Sequence, residues 1–175
     1  VKVILIVLPI VVGIIAALGA ATLIGVFLPK GHRATLSLVT DASAEQVWAL
    51  ISGLEQAPSW RPELTGIERL PDQDGKPVWK ELRRDGWGMA LKIEEQAAPT
   101  RQVTRIADPK APFGGSWTFE IAREGSVTRV RITEDGEVYN PAFRFMSRFM
   151  DRSATIRAYL KALAAKLGGT ERIEA

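Results

Sequence analysis

Cysteine is absent from all 175 residues, which excludes disulfides, thiolate metal sites and thiol nucleophiles. Histidine occurs once, as His32. An imidazole-based metal or acid–base centre would therefore need a surrounding carboxylate cluster, and none is evident in the spacing. His32 also lies at the end of a long apolar run, where a base would not reach an interior substrate, so an interfacial role is expected for it. No metal and no cofactor are implied. The net charge is only +3, although the pI is near 9.4. Blocks of Lys and Arg interleaved with aromatics are missing, which argues against nucleic acid as a partner.

Charge is missing altogether from residues 3–28 (VILIVLPIVVGIIAALGAATLIGVFL), a run of 26 residues of which 17 are Val, Ile, Leu or Phe. About 20 helical residues cross a hydrocarbon core of about 30 Å. Insertion of the run outweighs the cost of Pro9 and Thr22. A cleavable signal peptide would have an apolar region of only about 7 to 15 residues, so the run predicts an uncleaved single-pass anchor over 1–30. Lys30 and Arg33 follow it while Lys2 precedes it, a small bias toward a cytoplasmic domain. Gly13, Ala17, Ala21 and Gly25 recur every four residues and mark one stripe of small side chains. Such a stripe suits packing against a partner transmembrane helix, from a second copy or another subunit, or is ordinary lipid-facing composition.

Residues 31–175 have the length of one domain with one core. Residues 33–40 alternate as a strand. Ser43 with Gln46 forms a capping box ahead of Val47, Leu50, Ile51 and Leu54 at helical spacing. Pro58 and Pro62 stop that helix, leaving a second short one ending near Trp60. From 66 to 139, breaks at 71–76, 83–88, 98–100, 109–115 and 123–126 delimit six strands. Pro141 to Leu167 then reads as one long helix, with Pro at its start and Gly168-Gly169 at its end. The order is α+β: a curved antiparallel sheet closing around a long C-terminal helix.

The stretch TDASAEQVWALISGLEQAPSWRPEL at 40–64, the strand series and the helix PAFRFMSRFMDRSATIRAYLKALAAKL at 141–167 resemble the START-like superfamily, also called SRPBCC or polyketide cyclase/dehydrase-like. The resemblance spans residues 33–168 and implies the helix-grip fold. Its members include lipid carriers, quinone-binding proteins, ring cyclases and accessory proteins, so it specifies fold more sharply than function. It implies a cavity between sheet and long helix. Trp60 would sit near one end of that cavity, lining it or stapling the short helices to the sheet. The other expected wall residues are Trp79, Trp87, Met89, Leu91, Trp117, Phe119, Ile132, Phe145, Met146 and Phe149.

Polar candidates are few. Glu134 is in phase with Val130 and Ile132, which aims its carboxyl inward unless a bulge turns it to water; it is the one catalytic candidate. Lys80, between Val78 and Leu82, is a second inward candidate. Arg144, Arg148 and Arg152 recur every four residues and would hold phosphate or lipid headgroups, or form a solvated helix face. The expectation is a membrane-anchored domain binding a lipid, quinone or polyketide-like ligand. An accessory subunit of a membrane complex and a cyclase or dehydratase are the alternatives, and an enzyme is the less favoured.

Overall fold

The computed structural model describes residues 2–168 and 172–175, residues 2–6 as backbone only. Helix α1 runs Lys2–Phe27. Its residues Val7–Phe27 are long and apolar enough to cross a membrane, and they lie almost wholly outside the protein core. After three residues the chain enters β1 (Gly31–Thr40), then α2 (Ala44–Ser52) and a 3₁₀ segment (Leu54–Ser59). Strands β2 (Leu64–Gln73), β3 (Lys76–Arg83), β4 (Gly88–Ala97), β5 (Arg101–Ile106), β6 (Phe113–Glu124) and β7 (Val127–Val138) follow as a meander. The chain closes with α3 (Pro141–Met146), a 3₁₀ turn (Ser147–Phe149), α4 (Ala154–Leu167) and β8 (Arg172–Glu174).

All eight strands form one antiparallel sheet in the order β2-β3-β4-β5-β6-β7-β1-β8. Its two halves are differently filled. Behind β1, β6 and β7 the core is solid: Leu36, Leu38, Ile121, Val130 and Ile132 pack on Val47 and Ile51 of α2 and on Ile156, Leu160 and Leu163 of α4. Each of these large side chains contributes about 1.5 to 3 kcal/mol through removal from water. The other half of the concave face has no helix pressed onto it, and there the cavity lies.

The helix start predicted at Ser43 is present. Ser43 Oγ accepts from the Gln46 amide at 3.2 Å, and Gln46 Oε1 accepts from the Ser43 amide at 2.8 Å. Two predicted breaks shrink. The chain reverses on Asp74-Gly75 alone, both at positive φ, as a two-residue Asp-Gly hairpin requires. Pro71 is thus inside β2, which tolerates it because β2 is an edge strand. Likewise β6 begins at Phe113, within the expected 109–115 break.

The predicted single helix from 141 to 167 is two helices. Met150 is extended (φ −99°, ψ 149°), and Asp151 Oδ1 accepts from both the amide and the hydroxyl of Ser153, 2.9 and 2.7 Å away. This Asx turn competes with helical bonding and redirects the chain into α4. Gly168 ends α4 in the left-handed conformation; Gly169 lies outside the described residues.

Splitting the helix frees α3 to dock on α1. A Cβ at Gly25 would overlap the Pro141 carbonyl, so the smallest residue is needed at this contact. Arg144 completes the joint. Its Nη1 donates to Gly25 O (2.9 Å) and Leu28 O (3.2 Å), its Nε to Val138 O (3.0 Å) and its Nη2 to Tyr139 O (3.1 Å). The first two acceptors are carbonyls in the last turn of α1 and just past it, where a cation is favoured; Gly25 O also accepts from the Leu28 amide at 3.3 Å. The expectation that Arg144 holds a headgroup is therefore corrected: its guanidinium is buried and fully engaged in the joint. Gly25 meets this chain's own α3, whereas Gly13 and Ala17 remain open.

Candidate functional site

The cavity has a volume of about 470 Å³, within the usual range for small-molecule sites. Its sheet wall consists of the concave-facing residues of β3 to β7, because the register sets Glu81 opposite Met89, Leu91 opposite Ile106, Thr104 opposite Trp117 and Trp117 opposite Glu134. Phe143, Ser147, Met150, Thr155 and Tyr159 form the helical wall, and Ile51, Leu54 and Arg61 contribute from the α2 side. Side chains pointing in from a period-two strand necessarily share parity, so this wall is a direct consequence of pairing register.

Of the residues expected at a ligand, Trp87, Met89, Leu91, Trp117, Phe119 and Glu134 line the cavity. Trp60 does not. It is 8% exposed and packs edge-on against Tyr159, with ring centroids 5.3 Å apart, in the filled core one layer behind the wall. Ile132 is fully buried in the same core. Trp79 has the inward parity but sits near the β2 edge under the Arg69 guanidinium, 5.3 Å from its ring. Phe145, Met146 and Phe149 lie outside the lining, because the split helix turns Phe143, Ser147 and Met150 toward the cavity instead. Arg148 is exposed, and Arg152 lines the cavity.

The inward charges on β3 are Glu81 and Arg83, not Lys80. Lys80 pairs with Ala90 on the opposite face of the sheet, so the apolar neighbours Val78 and Leu82 point away from the cavity. Glu81 is 3% exposed and takes a two-pronged contact from Arg61: Nη1 donates to Oε1 and Nη2 donates to Oε2 at 3.1 Å. Arg61 Nε donates to Glu63 at 2.8 Å, and its guanidinium stands 5.1 Å from the centre of the Tyr159 ring. Burial opposes the charge on Arg61, but Glu81 and Glu63 outweigh it and hold the group above its ordinary pKa. Arg61, Glu81 and Tyr159 were not singled out from sequence; the Arg61–Glu81 pair spans 20 positions and has no local signature.

A second polar group adjoins α1. His32 Nε2 lies 3.2 Å from Glu134 Oε1, both side chains line the cavity, and Glu134 Oε2 is buried without a partner among the described residues. Glycine at 136 is what admits the imidazole, since a Cβ there would overlap the His32 ring. The inward reading of Glu134 thus agrees with the geometry. The expectation for His32 does not: two residues of β1 suffice to carry it from the end of α1 into the cavity wall.

Tyr159 joins the two groups through an aromatic cluster with Trp60, Trp117 and Phe119. Burial raises its pKa well above the ordinary value, and Arg61 offsets only part of that rise. The neutral phenol is therefore favoured by folding. Stability should be intact below pH about 10, where the unfolded residue ionises, and should fall as pH rises beyond it. The chain has two tyrosines, and Tyr139 is exposed. In an alkaline absorbance titration, one tyrosinate should form in the folded protein and the second only together with unfolding. Tyr159→Phe should abolish that second step.

A family model described as polyketide cyclase / dehydrase and lipid transport matches residues 31–168. Among solved structures, a START superfamily protein from Mycobacterium smegmatis is 21% identical with a TM-score of 0.60, over 78% of this chain and 97% of that one. The protein XoxI from Bacillus cereus is 21% identical with a TM-score of 0.59, over 77% and 94%. A point mutant of norcoclaurine synthase from Thalictrum flavum, in complex with a transition-state analogue, is 11% identical with a TM-score of 0.62, over 78% and 94%. At these identities the likeness is one of fold. A comparison with curated proteins gave no match.

Proposed function

Because the chain belongs to the polyketide cyclase / dehydrase and lipid transport family over residues 31–168, we propose that it binds an apolar small molecule in its cavity, at the surface of a bilayer that α1 spans. The observation that carries this reading is the unfilled half of the concave face: about 470 Å³ walled largely by Trp87, Met89, Leu91, Trp117, Phe119 and Phe143. Apolar walls with a few convergent polar groups are the usual composition of a ligand pocket. Glu134 supplies the polar contact, because a buried carboxyl oxygen without a partner is costly and a ligand hydroxyl or amide hydrogen would satisfy it. A lipid, an isoprenoid quinone or a polyketide-like molecule fits the walls.

Native mass spectrometry of the full chain released from detergent tests this proposal. A lipophile taken from a membrane extract should add mass, and Leu91→Trp, which puts an indole into the cavity, should reduce its occupancy by about tenfold or more while the fold persists. A protein that stays empty with every lipid, quinone and aromatic polyketide offered overturns the reading.

The His32–Glu134 pair favours a second reading, acid–base chemistry on the bound molecule. Glu134 would take a proton from the ligand and His32 would orient its carboxyl. Glu134→Gln removes the base while keeping the shape, so turnover that survives it would dismiss this reading without touching the first.

A further inference from the structure

The mouth of the cavity is unusually apolar. Three of its lining residues are also strongly exposed: Trp87 (51%), Phe143 (42%) and Met150 (58%). Beside them stand Met146 (57%) and Phe149 (77%), the latter edge-on against Phe145. Four of these five belong to residues 143–150, the segment that follows directly from the joint with α1. Scattered exposed apolar residues need no explanation, but a contiguous cluster rimmed by charge marks an interaction surface.

Its occupant follows from what it is attached to. The carbonyls of Gly25 and Leu28 are held by Arg144, and Pro141 abuts Gly25, so α3 is packed on the last turn of α1. That packing sets the 143–150 surface at the level where the apolar helix ends. Lys30 and Arg148 are exposed on the flanking positions, the arrangement expected for contact with anionic headgroups. Trp87 reaches the same rim from the β3–β4 turn and stacks on Phe113, with centroids 5.5 Å apart. Tryptophan favours the interfacial layer.

We propose that residues 143–150 together with Trp87 rest in the interfacial layer of the bilayer, and that the cavity mouth they frame opens into the lipid, so that the ligand passes between membrane and cavity without crossing water. This rests on the hydrophobic-ligand reading above and adds to it the partner surface and the route. The rigid joint is essential to it. A domain on a flexible tether would present any face to the membrane; one fixed by Arg144 presents this one.

The absence of native cysteine makes a direct test available. Nitroxide labels are placed singly at Phe149→Cys, Trp87→Cys and, as a control in the β6–β7 turn at the far end of the sheet, Ser126→Cys. The full chain is reconstituted in nanodiscs of phosphatidylcholine and phosphatidylglycerol. Collision with oxygen should exceed collision with a water-soluble nickel chelate at positions 149 and 87, and the reverse should hold at 126. In the same discs, Phe149→Asp with Met146→Asp, two exposed residues outside the cavity lining, should slow uptake of a pyrene-labelled hydrocarbon by about tenfold, since binding at the interface scales with buried apolar area. Equilibrium binding of that probe in detergent should be unchanged. Water-like accessibility at both 149 and 87 overturns the inference, as does an unchanged rate of uptake. If the labels read lipid yet no probe enters the cavity under any condition, the ligand reading fails while the membrane contact stands.

Discussion

Glu81→Leu is expected to destabilise the domain by about 3 to 5 kcal/mol, the usual result of stripping one partner from a buried ion pair. Glu81 and Arg61 are both buried, and the variant would leave a buried guanidinium with only Glu63, among the described residues, on its Nε edge to neutralise it. The loss is not evidence that the pair itself is strongly stabilising. Removing both charges, as Arg61→Met with Glu81→Leu, should recover most of the lost stability, because the desolvation cost disappears with the charges. Urea unfolding of the full chain in detergent, followed by tryptophan fluorescence, measures both. A double variant no better than Glu81→Leu would mean that the pair holds the geometry of the cavity wall and not merely its charge balance. The pair also bounds the ligand's chemistry, since neither member is free to meet an ionic headgroup without breaking the other's partner.

Arg144→Ala should cost about 3 kcal/mol, since it strips a charged donor from four buried or half-buried carbonyls. The effect is localised: α1 and the sheet domain each keep their own hydrogen bonds, and what is lost is their fixed relation. Hydrogen exchange of the 139–146 amides should accelerate, and trypsin should cut faster after Lys30, whose side chain is exposed and whose carbonyl is held beside the joint by the Val138 amide at 2.9 Å. Arg148→Ala, four residues on and exposed, should change stability by less than about 0.5 kcal/mol. Arg144→Lys should fail to rescue, because one ammonium cannot span carbonyls contributed by α1, β7 and the β7–α3 connection. If Arg144→Ala left trypsin cleavage unchanged, the joint would rest on the Gly25–Pro141 packing alone.

These two arginines mark the limit of what one-dimensional pattern conveys. Arg61 follows a turn and Arg144 sits in a four-residue series with Arg148 and Arg152; by spacing alone, the series reads as a single charged face. The split at Met150–Ser153 assigns its members to three different environments: a buried joint, open solvent and the cavity wall. The signals for that split were present in Asp151 and Ser153, but an Asx turn outweighs helical periodicity only when α3 has something to dock on. The same holds for β3. Val78, Lys80 and Leu82 have the alternation of a buried face, yet the sheet's register gives the cavity to Glu81 and Arg83. An ion partner 20 residues upstream makes an inward glutamate tolerable.

Local chemistry alone determined much of this protein. The resemblance carried by residues 40–64 and 141–167 implies the helix-grip architecture; beyond it, the uncharged run specifies one apolar helix, Ser43 with Gln46 starts α2, Asp74-Gly75 turns a hairpin, and alternation marks the strands. Those features depend on neighbours within a few residues, and their energies are settled before the chain closes. Which residues enclose empty space was decided only by tertiary structure. Trp60 went into the packed core, His32 joined Glu134, and Arg144 left the surface for the end of α1. Each outcome turns on a contact between segments distant in the chain, and such contacts are set by register and packing, which no local pattern encodes.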